Sequence, residues 1–361
     1  MRLLLVILMV LCSVPVFAQV WNGSQGNSDW YTGLNWDGGA VPAAGSGDPG
    51  FTTADDGGTI NLTNSVAADK FSTQSGSKTF NIYADKELYI ARGRMYNGTS
   101  TYNGPGRMRG DFFCYGLGGL SQSTFNGVVC TNLTFNSGHT ANEAGTVTNV
   151  LNACNFVSYV AGGVVDVGAG GGAAVYRVGK MEFNSCTGTV GSATSVLTIG
   201  EGGPTSSGWL FCDSPNLTQQ YSIANMIGLN GVYAKYEQDA GTFIATTLNL
   251  ASTSTNVAAQ AILDINGGTF SNTTTFVVGS VATVSVLQSG GDLYLDDAYG
   301  DPTTNSWYTV DLPGGTAVSE LNGTTYHVYI LPPEPPPSGT TRSGNILPEL
   351  NAIKEENALQ P

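Results

Sequence analysis

The sequence predicts an all-β chain wound as a parallel β-solenoid (β-helix) of roughly nine or more coils of about 25 residues, capped at both ends. Three observations carry that expectation. One phrase recurs between Gln238 and Ala298, in QDAGTFIATTLNL, AILDINGGTFSNTTTFVVGS and VATVSVLQSGGDLYLDDA: a small residue plus Gly, a short alternating apolar run, and a polar break. Its marker glycines Gly241, Gly268 and Gly291 stand 27 and 23 residues apart, and earlier copies at Gly163 and Gly188 stand 25 apart. Within each copy apolar and polar residues alternate, which is the period of a strand with one buried face. Finally, 49 glycines with abundant Thr, Ser and Asn would suggest disorder in an apolar-poor chain, but 41% hydrophobic residues are enough for a core. Short strands with Gly and Asn at their corners satisfy both.

Residues 1–18 have one basic residue, Arg2, then an apolar run and a small residue at Ala18, the pattern of a secretory signal peptide that takes no part in the fold. The run is short for a transmembrane anchor, so export without a membrane anchor is expected. Residues 19–58 are read as an N-terminal cap rich in tryptophan, with Trp21, Trp30 and Trp36 covering the open end of the first coil. A sugar-stacking platform is the alternative use for those rings. Residues 59–298 are the solenoid repeats, with three strands per coil as the expected cross-section. Asn before the turns suits a corner, where it tolerates positive φ and can stack on its equivalents. Residues 299–331 are closing strands, with Trp307, Tyr308, Tyr326 and Tyr329 as bulky capping residues. Residues 332–361 begin with PPEPPP, a stiff linker in which a sheet cannot continue, and end in a disordered tail or a short docking helix bearing Ile346, Leu350 and Ile353.

The stretch VWNGSQGNSDWYTGLNWDGGAVP resembles the opening of secreted bacterial β-solenoid proteins of the autotransporter-associated β-strand-repeat type. The matching positions are Trp21 with Gly23, Trp30, Asn35 with Trp36, and Pro42. The later GGTF and SGGDLYL phrases are similar to the repeats of that family. The resemblance implies a parallel β-solenoid exposed at or beyond the cell surface, and it implies no catalytic residues.

The chemistry on offer is sparse. A net charge of −14 comes from only 13 basic and 27 acidic residues, so nucleic acid and anionic membranes are poor partners. The one basic concentration, Arg92, Arg94, Arg107 and Arg109, is read as a loop, either solvated and pairing with nearby Asp and Glu or protruding to contact an anionic glycan through forked guanidinium donors. Asp292, Asp296, Asp297 and Asp301 form the main acidic group, which discourages edge pairing at the last coil; Ca²⁺ ligation is the alternative. Cys130, Cys154, Cys186 and Cys212 recur near the coil period and are read as a buried stack of small apolar residues, since none has CxxC spacing. His139 and His327 lie in no recognisable nucleophile context, and Arg177 and Lys180, which with Lys235 are the basic residues of the coiled middle, are expected to face solvent. No catalytic residue and no cofactor is assigned. The expected function is a secreted, non-enzymatic structural, surface-matrix or adhesive protein with an extracellular glycan or cell-surface partner. The alternative is a polysaccharide-binding or polysaccharide-active β-helix, marked by an acidic-basic groove persisting over consecutive coils.

Overall fold

The structure, a computed structural model, describes residues 28–31, 36, 40–41, 50–51, 58–73, 76–96, 98–115, 120–137, 145–159, 163–168, 177–200, 206–227 and 231–333. The expected leader at 1–18, Trp21, His139, the PPEPPP linker from Glu334 on and the tail lie outside the described residues.

The backbone forms a parallel β-solenoid of stacked coils of about 26 residues. One face is a ladder that starts at Thr59–Leu62 and passes through Ser77–Ile82, Gly98–Asn103, Leu120–Asn126, Gly145–Asn152 and Arg177–Asn184. It continues through the first parts of Ser206–Met226 and Tyr233–Leu250, then Gln260–Ile265, Thr283–Gln288 and Tyr308–Val310. Every one of those pairings is parallel, as a solenoid requires. The other two faces are clearest in Ser206–Met226, one bent strand that pairs in turn with Arg177–Asn184, Thr187–Gly191 and Val196–Ile199. Three faces per coil, as expected, are therefore present there. In earlier coils the second and third faces share one strand, such as Glu87–Tyr96 or Arg107–Tyr115, which bends where its register shifts between Ile90 and Gly93 and between Met108 and Gly110.

Alternation is what makes this possible. Thr59–Leu62 and Gln260–Ile265 turn Ile60, Leu62, Ala261, Leu263 and Ile265 fully inward. These side chains join one continuous core running the length of the stack. Each fully buried Leu, Ile or Phe stabilises the stack by about 1.5–3 kcal/mol relative to exposure. Equivalent aromatics stack from coil to coil: Phe80 on Tyr102 at 5.1 Å, Tyr102 on Phe125 at 5.0 Å, and Phe243 on Phe270 at 4.4 Å.

The first corner is held by asparagines. Asn81, Asn103, Asn126, Asn152 and Asn184 each donate their side-chain amide to the carbonyl oxygen of the previous one, beginning with Asn61, at 2.9–3.1 Å. Successive partners are 20, 22, 23, 26 and 32 residues apart, so the coils lengthen along the chain while the corner stays in register. The positive φ expected at Asn falls instead on the residue that follows, Gly127, Ala153 and Ser185. The asparagine backbone stays extended at the strand end, and the next residue makes the turn.

The four cysteines Cys130, Cys154, Cys186 and Cys212 are buried and free. Only Cys154 and Cys186 share a position, each two residues past a ladder asparagine; Cys130 pairs in register with Phe156 and Cys212 with Phe183. Their thiols donate to strand carbonyls, Cys154 to Phe125 at 3.5 Å, Cys186 to Leu151 at 3.3 Å and Cys212 to Ala240 at 3.4 Å.

Both ends are covered. At the first coil Trp30 and Trp36 are 2% and 1% exposed and meet edge to face at 4.7 Å, and the Trp36 indole N–H donates to the Trp30 carbonyl at 2.8 Å. Trp30 and Ser28 bond the backbone of Asn61, occupying part of its open edge. At the far end Thr325–Leu331 lies antiparallel on Asp292–Asp296, and Thr316–Asn322 lies antiparallel on it in turn. That reversal of direction ends the parallel stack.

Candidate functional site

The arginine segment is not a loop. Glu87–Tyr96, Gly98–Asn103 and Arg107–Tyr115 are strands of two successive coils, which corrects the expectation of a protrusion. Its physical reason is visible in RMRGDF: Met108 and Phe112 point inward, and Arg107, Arg109 and Asp111, at the alternate positions, lie on the outer surface. Arg92 and Arg94 lie in Glu87–Tyr96, opposite Lys70 and Ser72, and their side chains lie outside the described residues. Arg107 is exposed, opposite Glu87 in register. Arg109 is engaged: its Nε and Nη2 both donate to Glu87 Oε1, at 3.2 and 3.0 Å, and its guanidinium sits 4.4 Å over the Tyr89 ring. Of the two arginines whose side chains are described, Arg107 is exposed and Arg109 is bound to Glu87.

Beside Arg109 the surface opens into a notch of about 210 Å³, lined by Tyr89, Ala91, Arg109, Gly110, Asp111 and Asn132. The register shifts flanking Gly110 produce it. Gly110 has φ +116°, and a Cβ there would collide with the Ile90 carbonyl, so the backbone of two coils makes a bare floor. Asp111 accepts a hydrogen bond from the Thr134 hydroxyl at 2.7 Å, and Asn132 is exposed at φ 46°. The notch thus offers a stacked ring and cation, a carboxylate and a primary amide within one concavity.

The acidic group is distributed rather than gathered. Asp292 pairs with His327 at 2.8 Å, and the imidazole stacks on Tyr294 of the paired strand at 4.4 Å, with Tyr329, two residues along its own strand, at 5.1 Å. Asp296 caps a short turn by accepting from the Ala298 N–H, and Asp297 is exposed within that turn. Asp301 accepts from the Thr303 N–H and hydroxyl at 2.9 and 2.7 Å; although partial burial opposes it, these bonds hold its carboxyl below the usual carboxylate range. Among the described residues no three His, Cys, Asp or Glu side chains are grouped so as to hold a metal ion.

A feature that sequence reasoning missed lies on the first ladder. Lys180, Trp209 and Lys235 occupy one register column, and Glu182, Phe211, Glu237 and Asp264 the column beside it. Lys180 pairs with Glu182 and lies 4.1 Å over the Trp209 ring; Lys235 bonds Glu237 at 2.8 Å and Asp264 at 2.9 Å. Lys180 and Lys235 are therefore half-buried and paired, not simply solvated. Burial alone would lower the Lys235 pKa, but its two carboxylate partners outweigh it and raise the value, keeping the ammonium charged. The signal available was Lys-x-Glu in both KMEF and KYEQ, at equivalent points of coils two apart. No helix among the described residues is long and apolar enough to cross a membrane.

Comparison with known proteins finds no protein family, no curated protein and no solved structure that matches this chain.

Proposed function

We propose that this protein is a secreted, non-enzymatic β-solenoid that serves as a structural, surface-matrix or adhesive component, presenting its coil faces to extracellular glycan or cell-surface material. The observation that carries the reading is the mutual engagement of several of the charged side chains in the described coils. Arg109 is held by Glu87, Lys235 by Glu237 and Asp264, and Asp292 by His327. General acid–base catalysis needs a group whose pKa lies near the working pH and which can reach substrate. Lys235 is moved the wrong way for a base, and Asp301 the wrong way for an acid. The sequence resemblance to autotransporter-associated repeats supports placement at or beyond the cell surface.

A second reading, a polysaccharide-active β-helix, is favoured by one observation, the adjacent Lys180–Trp209–Lys235 and Glu182–Phe211–Glu237–Asp264 columns that run over consecutive coils. One experiment separates the two. The purified chain is applied to a glycan array and incubated with pectin, alginate and neutral glucans, with reducing ends and unsaturated-uronate absorbance followed over time. Retention without turnover is expected. Sustained product that is lost on Lys235→Ala would overturn the non-enzymatic reading, and absence of any retention would overturn the glycan-adhesive one.

A further inference from the structure

We infer that the notch between Tyr89 and Asn132 is a monosaccharide-sized binding site for a neutral hexopyranose unit rather than for an acidic sugar. This rests on the glycan-adhesive reading and deepens it. The volume, about 210 Å³, suits a single pyranose ring rather than an oligosaccharide. Its walls carry complementary chemistry. A sugar hydroxyl both donates and accepts; Asp111 is an acceptor with capacity beyond its Thr134 bond, Asn132 offers an amide that does both, and Arg109 retains guanidinium N–H groups not used on Glu87.

Charge decides between neutral and acidic ligands. A carboxylate would seek the forked donors of Arg109, but the Nε–Nη2 edge is already taken by Glu87, whose charge also offsets that of the guanidinium, so only the Nη1–Nη2 edge is left to it. Asp111, on the notch wall, would repel a second carboxylate. The expectation of an anionic glycan at these arginines is therefore replaced, at Arg109, by a neutral ligand.

The two positions that set the site apart from an ordinary corner are Gly110 and Asn132. Gly110 lets the backbones of two coils come together at the floor, where a Cβ would meet the Ile90 carbonyl, and Asn132 places an exposed amide at the rim in a left-handed conformation that asparagine tolerates. The Tyr89–Arg109 stack forms the rigid wall against which a ring can lie, with the guanidinium pinned on one side by Glu87 and below by the aromatic face.

The test uses the full chain and methyl glycosides of glucose, galactose, mannose and glucuronic acid, followed by saturation-transfer NMR and titration. Asn132→Gly removes the amide while keeping the left-handed backbone accessible, and Asp111→Asn keeps the shape while removing the charge. At least one neutral glycoside should bind more tightly than the glucuronide, and each variant should weaken it by roughly three- to tenfold, the loss of one hydrogen bond to the ligand, with unchanged thermal melts. Should one variant fail to fold, the other reads the same loss. Binding unaffected by both variants, or tighter binding of the glucuronide, would overturn the assignment. So would retention of the protein on a polymeric glycan with no glycoside bound, which leaves the adhesive reading standing while the notch falls. If neither polymer nor glycoside is retained, both fall.

Discussion

The asparagine corner shows how one side chain type can hold a stack of unequal coils. Asn126 both donates to Asn103 and accepts from Asn152, each at 3.0 Å, whereas Asn61 only accepts, from Asn81. Asn126→Ala should therefore cost about 1–3 kcal/mol, because it strands two neighbouring amides, and Asn61→Ala roughly half as much. Urea unfolding of the two variants measures this, and equal losses would mean that the ladder is not continuous. The cysteines make a second prediction. The Cys212 thiol is pushed up from 9.0 to about 12 by burial first and by the Cys186 thiol beside it. Cys154 and Cys186 are raised as well, each chiefly by the thiol of the preceding cysteine and then by burial. A folded thiol thus keeps its proton where an unfolded one loses it. The stability these groups confer is complete below about pH 9 and declines as pH rises, at up to roughly 1.4 kcal/mol per pH unit for each group. Thermal melts should fall steadily above pH 9 and fall less steeply in Cys212→Ala. The same burial should leave the four thiols unreactive toward a thiol reagent until denaturant is added.

Strands and corners differ in how plainly they were written in the chain. TINL, KTFNI and QAILDI declare themselves by alternation, and the structure has strands at each. RMRGDFF alternates just as well, but its outward positions are charged and its inward Gly110 has no side chain, so it resembles a solvated loop. The glycine is there because two coils touch at that point, a relation between residues that sequence spacing does not reveal. Pairing across coils is hidden for the same reason: Glu87 and Arg109 are 22 residues apart, and Cys186 and Ser214 are 28 apart. The antiparallel reversal at Thr316–Leu331 showed only as a change in composition. Gly110→Ala should be severely destabilising, since it meets both a positive φ and the Ile90 carbonyl, while Gly58→Ala, with no atom within 4 Å of the added Cβ, should be nearly neutral. Melting temperatures of the pair test the close approach directly. Truncation after Asp311 would bare the Asp292–Asp296 edge and should drive self-association visible by light scattering, because an unpaired strand edge is a template for another chain.

The stack of coils unites these features, and its outer columns provide a ruler. Thr101, Thr124, Val150, Glu182, Phe211, Glu237, Asp264, Leu287 and Thr309 follow one another in register on the first ladder. Neighbouring strands lie about 4.8 Å apart, so Thr101 and Glu237, five steps apart, should be separated by about 24 Å, and Thr101 and Thr309, eight steps apart, by about 38 Å. Because the four core thiols are buried, spin labels on introduced cysteines can be placed selectively in a Cys114→Ser background. The most direct test is pulsed electron paramagnetic resonance on the doubly labelled pairs Thr101/Glu237 and Thr101/Thr309. Separations that grow linearly with the number of coils, near those two values, are the predicted result. A Thr101–Thr309 distance equal to or shorter than the Thr101–Glu237 distance would contradict the stacked solenoid, and with it every site assigned on its faces.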